Sequence, residues 1–115
     1  MIWREPPVAA KLAVLVLASV CEVWWAVGLA YRSRDPGAVP ADVYAAMVMS
    51  IVLLRAGMSG LPIGTAYAVW TGLGAIGTAT VGILRFNESA NPIRLACIGL
   101  ICLGIVGLAG YADEP

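Results

Sequence analysis

Apolar residues in this chain do not alternate with polar ones in the period of a surface helix or a strand. They run on, and only short polar breaks interrupt them. The first run extends roughly from Val8 to Tyr31, and "RSRDPGAVPAD" ends it with charges, prolines and a glycine. The second covers about 43–58, and Pro62 and Gly64 punctuate the turn beyond it. The third covers about 63–84 and gives way to "RFNESANP"; Asn91-Pro92 then opens a fourth run, about 92–111, before the acidic "ADEP". A bilayer core of about 30 Å takes about 20 apolar residues as a helix. The pattern therefore predicts an all-α membrane protein of four transmembrane helices, one domain spanning 1–115, with loops too short to hold a site of their own.

Composition agrees: of 115 residues, 61% are hydrophobic and 12% charged, more apolar surface than a soluble domain of this size can hide. The first run is longer than the core of a cleaved signal peptide and carries an acid. The formal net charge is zero with no histidine, so nothing suggests a nucleic-acid surface. Cys21, Cys97 and Cys102 all lie in apolar runs without ligand spacing and read as small packing residues. No nucleophile–base pair, phosphate loop or metal cluster is present, so neither an enzyme nor a cofactor is expected.

Charge counts bear on topology. With four spans, Arg4, Lys11 and Arg55 fall on one side and Arg32, Arg34, Arg85 and Arg94 on the other. Orientation follows an excess of Lys and Arg on one side, and these sides are nearly balanced. Such a chain can insert both ways up, or in one orientation set by finer details of position.

The chemistry concentrates on one residue. Glu22 stands inside the first run, where an ionisable group costs several kcal/mol unless compensated, and no Lys or Arg lies at similar depth. At about 100° per residue, Leu15, Ala18, Ser19, Glu22, Trp25, Ala26 and Leu29 share a face, and Trp24 points almost the opposite way. On the third helix Tyr67, Trp70, Thr71 and Gly74 share a face, with the aromatics a turn or more inside the interface they usually occupy. Ser50, mid-way along the second, either bonds back to its own helix or holds the Glu22 carboxylate. Glycines at 72, 74, 77 and 82 permit close helix approach and also a kink. In the fourth helix Ala96, Gly99, Leu103, Gly107 and Gly110 form a stripe suited to helix pairing, with Gly104 beside it. The plain structural alternative is a protonated Glu22 acting as interhelical glue in a non-transporting scaffold subunit. Four helices alone hardly enclose an alternating cavity, whereas two copies inserted in opposite senses would supply inverted repeats.

"CEVWWAVGLAY", "LPIGTAYAVWTGLGAIGT" and "GILRFNES" closely resemble the small multidrug resistance family, over nearly the whole chain, and most of all its guanidinium-exporting subtype. The resemblance implies an antiparallel, dual-topology homodimer in the inner membrane that exchanges protons for a guanidinium-type cation. It makes Glu22 the essential acid, Trp25, Ser50, Tyr67 and Trp70 the lining of the substrate site, Gly72 and Gly74 a flexible point in the third helix, and Gly104 part of a dimer seam. The chain departs from the family pattern at Ser19, where glycine is common and substrate preference is at stake, at Ala30 in place of a lysine, and at Cys97, where the second seam glycine falls. Export of quaternary ammonium cations is the alternative within the family, and pairing with a different half-transporter is the alternative to a homodimer.

Overall fold

The computed structural model describes residues 7–33 and 37–111. Arg4, Arg34 and the "ADEP" tail lie outside them. Four helices follow in order: α1 (Val8–Tyr31), α2 (Ala41–Gly57), α3 (Ile63–Arg85) and α4 (Pro92–Gly110). Each helix covers one of the apolar runs, with its bounds shifted by at most two residues. α2 begins two residues earlier, because Pro40 in an extended conformation already sets the chain for a first turn at Ala41. α1, α3 and α4 are long and apolar enough to cross a membrane. α2 has 17 residues, about 26 Å of helix rise, at the short end of the spanning range.

The helix ends are fixed by local chemistry. Asn91 caps α4 by accepting the Arg94 N–H at 2.8 Å, with Pro92 in the first turn, where its missing N–H costs nothing. α3 stops at Phe86, and Asn87 turns back in the left-handed region at φ 57°. That reversal lets the Glu88 N–H return to the Gly82 carbonyl at 3.1 Å. At the α1–α2 corner Arg32 grips Asp42 through both guanidinium nitrogens, at 2.7 and 2.9 Å, and the Trp24 indole donates to the same carboxylate at 2.9 Å. Trp24 faces outward, 56% exposed, as its place on the helix predicts, and is tied at its polar edge.

α1 is the centre of the packing: α2 and α3 lie against it, and α4 leans on α3. The core is small. Leu15, Leu61, Ala66 and Val69 form a buried cluster, and Val43 and Ser50 are buried along α1–α2. Lys11 is 7% exposed, because the close approach of Gly57 brings α2 down over the first turns of α1. The described chain is a slab of 51 × 36 × 17 Å, its thin dimension less than two helix diameters. No residue of α4 is buried.

Candidate functional site

Glu22 emerges from α1 against α3. Its carboxylate lies over Gly74, so close that a Cβ there would stand 2.7 Å from the Glu22 Cδ. Glycine is required at that point by contact, not by backbone strain. Gly72 and Gly77 admit neighbours in the same way: Ile105 of α4 at Gly72 and Val23 of α1 at Gly77. α3 runs unbroken past all three, so in this conformation its glycines serve close packing.

The Glu22 Oε2 is buried and has no hydrogen-bond partner among the described residues. A carboxylate in that condition is costly in an apolar surround, whether charged or neutral, until a proton donor or a cation reaches it. Ser19, one turn earlier, donates to its own helix at the Val16 carbonyl, 2.7 Å away. Its hydroxyl is therefore spent locally and does not point charge or donors at Glu22.

Neither of the two expected options for Ser50 is what occurs. Its Oγ donates across the interface to the Ala18 carbonyl of α1 at 2.8 Å, and accepts the Trp70 indole N–H of α3 at 3.0 Å. Ser50 is completely buried, so these bonds are made where water cannot compete. One hydroxyl thus links three helices a single turn below Glu22 and fixes the Trp70 ring. Tyr67 meets that ring edge-on at 5.2 Å and is half exposed, and Thr71 donates back to the Tyr67 carbonyl. Trp25 is half-buried, one turn beyond Glu22 on α1. The structure therefore joins Ser50, Trp70 and Tyr67 into one wall, sets Gly74 against Glu22, and puts no member of the wall in hydrogen-bond contact with the carboxylate.

A cavity of about 350 Å³ opens on Glu22. Its floor is the α3 face carrying Thr71, Gly74, Ala75, Thr78 and Ala79, all small and at helical spacing, and its far end is bounded by Glu88 and Arg94. Sequence reasoning passed over those two. They stand in a loop and in the opening of α4, and the only signal was a lone acid just beyond the helix end in "RFNES", followed six residues later by an arginine. Glu88 is bonded to Arg94 at 2.7 Å and to the Tyr31 hydroxyl, and Tyr31 stacks on Phe86 with centroids 3.7 Å apart. The Arg94 guanidinium, then the Tyr31 hydroxyl, hold the Glu88 carboxyl below its ordinary value, so it is an anion near neutral pH. Among the described residues no group of His, Cys, Asp or Glu has the arrangement of a metal site.

Comparison with known proteins places the chain. The family described as Small Multidrug Resistance protein matches residues 10–101. The chain belongs to the small multidrug resistance family. It is similar to the "Guanidinium exporter" of Escherichia coli (strain K12), 52% identical over 96 residues, covering 83% of this chain and 91% of that protein. The proteins of the same name from Citrobacter freundii and Salmonella typhimurium are 51% identical over the same shares. Family membership and the three long apolar helices support a multi-pass protein of the inner membrane. As a small multidrug resistance protein it also fits the slab described above: the Glu22 cavity is open on one side, and α4 presents its small residues outward.

Proposed function

We propose that this small multidrug resistance protein exports guanidinium or small guanidinyl cations in exchange for protons, as an antiparallel homodimer in which each copy contributes one Glu22. The observation that carries the proposal is the buried Glu22 Oε2, without a donor, at the edge of a cavity large enough for a small planar cation. The 52% identity to proteins named for guanidinium export supports the choice of substrate.

In this mechanism two carboxylates face one dry space and titrate as a coupled pair. Protons neutralise them, or a cation does, and the two cannot be held together. Competition for the same oxygens, combined with alternating access, is sufficient for antiport. Guanidinium is planar and offers paired N–H donors that meet a carboxylate side by side. Trp25 and Trp70 supply aromatic faces for stacking. Tyr67 and the Ser50 hydroxyl hold Trp70 in place, and Ser19 narrows the wall beside Glu22. Gly72 and Gly74 let α3 change its bend as the dimer switches. Cys97 and Gly104 mark the α4 seam: Gly104 has nothing within 4 Å of the place a Cβ would occupy, so it is free to meet a partner helix.

The test is exchange in proteoliposomes, with internal pH recorded as guanidinium is taken up. Wild type should alkalinise the lumen as guanidinium enters and protons leave, and Glu22→Gln should abolish both while leaving the dimer intact. Normal exchange by the Gln variant would remove Glu22 from the mechanism, and loss of pH coupling alone would reduce it to a facilitator. Uptake of a bulky quaternary ammonium in place of guanidinium would reassign the substrate.

A further inference from the structure

The far end of the Glu22 cavity already holds a guanidinium group, and it belongs to the protein. Arg94 directs one terminal nitrogen to Glu88 Oε1 at 2.7 Å and the other to the Ser89 carbonyl at 2.8 Å. Both acceptors stand on one loop, which Asn87 turns back over α3. The Glu88 carboxylate lies over Gly82 closely enough that a Cβ there would overlap it. Gly74 plays the same part for Glu22, eight residues and about 12 Å of helix rise away. The α3 face between the two glycines carries Ala75, Thr78 and Ala79, which leave the space open and offer one hydroxyl on the way.

Resting on the guanidinium reading above, we propose that Glu88 and the Ser89 carbonyl form a second guanidinium site at the mouth of the cavity, held by Arg94 at rest and taken by the substrate cation when it displaces Arg94. The substrate and the Arg94 head group are the same chemical unit, so one replaces the other without loss of hydrogen-bond geometry or of charge balance at Glu88. Glu88 and Arg94 are each about one-third exposed, at 33% and 32%, so their pairing is partly screened by water and exchange is accessible. When the cation binds, Arg94 is released towards solvent. When the cation moves on to Glu22, Arg94 returns and closes the mouth behind it. A quaternary ammonium has no N–H donors for Glu88 and Ser89, so this position adds selectivity that the aromatic wall alone does not.

The experiment titrates guanidinium chloride into purified full-length Glu22→Gln protein, which silences the inner site, and follows the Arg94 side-chain nitrogens by NMR. Arg94 signals should move towards those of a solvated arginine as guanidinium is added, and tetramethylammonium should leave them unmoved. Glu22→Gln/Glu88→Gln should lose the weak binding. Removing a competitor that holds the carboxylate about nine-tenths of the time tightens apparent binding about tenfold, so Glu22→Gln/Arg94→Ala should gain by that order. Arg94 signals that ignore guanidinium would overturn the proposal, and this readout needs no substitution at Glu88. Equal affinity with and without Arg94 would also overturn it. Exchange by wild-type protein purified in parallel separates the two ideas. Normal exchange with a silent Arg94 removes the mouth site alone, and absent exchange with a responsive Arg94 removes the exporter reading and leaves the mouth site.

Discussion

At the scale of single residues, two positions carry most of the site. Gly74 is the sharper. Alanine is the better helix former by up to about 1 kcal/mol, so Gly74→Ala should not weaken α3. Its Cβ, however, falls 2.7 Å from the Glu22 Cδ, and the carboxylate must swing aside. The expected result is a protein as stable as wild type that binds guanidinium at least about tenfold more weakly, a loss of about 1.4 kcal/mol. Calorimetric titration beside thermal unfolding in detergent separates the two effects. Ser50 is the converse case. Ser50→Ala strands the Trp70 indole N–H and removes a side chain that ties α3 through α2 to the Ala18 carbonyl. A buried donor left unpaired costs about 1–3 kcal/mol, moderated in membranes to an average nearer 0.6. We expect a stability loss of about 1 kcal/mol, read by reversible unfolding, together with a change in Trp70 fluorescence. Glu22 itself was legible in the sequence, because an acid in an apolar run stands out against its cost. The Ser50 bridge was not. Nothing in one sequence tells a hydroxyl which of three neighbouring helices will offer it a partner.

At the scale of elements, the α3–α4 loop is an ordered device. Tyr31 stacks on Phe86 and donates to Glu88, Arg94 pairs with Glu88, and Asn91 caps α4. Glu88 has its carboxyl held below the ordinary value, first by Arg94 and then by Tyr31. A group shifted in that direction contributes order that is fully present above its unfolded value, near 4.5, and is lost as pH falls through the folded one. Amide protection over 86–91 should therefore stay level from neutral pH down to about 5 and collapse in more acid solution. Glu88→Gln should remove that step from the hydrogen-exchange profile. A protection profile that changes near neutral pH would mean that another group controls the loop. The helices themselves were readable to within two residues, because a proline stands at the entry of each one. The loop's work was hidden because it depends on Tyr31 and Glu88, 57 positions apart, meeting at one end of the slab.

At the scale of the whole molecule, the described residues are less compact than a globular chain. A compact chain of this length would have a radius of gyration of about 13 Å, and the described residues give 15.7 Å. α4 packs chiefly on α3 and buries none of its residues. In a membrane, apolar exposure by itself implies nothing, since lipid covers it. A row of glycines with nothing near their Cβ positions, Gly99, Gly104, Gly107 and Gly110, suits a helix partner better than lipid chains. Hence Gly104→Trp should leave helicity and the Glu22 cavity unchanged and lower the dimer fraction at least about tenfold in dissociation constant, by mass measurement in detergent.

The proposed antiparallel pairing makes a stronger demand, because a single gene must then deliver both orientations. Three basic residues face four across the predicted membrane, so the energetic bias is slight. A reporter fused to the C-terminus should divide between the two sides in comparable amounts. Adding a pair of lysines to the tail should drive most copies one way and nearly abolish export, since like-oriented copies cannot present inverted halves of the cavity. A second variant biased oppositely, with lysines added in the 86–91 loop, should fail alone for the same reason. Expressed together, the two should restore export, and neither should rescue Glu22→Gln when both copies carry it. If the tail variant exports normally by itself with all reporters on one side, the two subunits are parallel, and the balance of charge between the loops has no part in assembly.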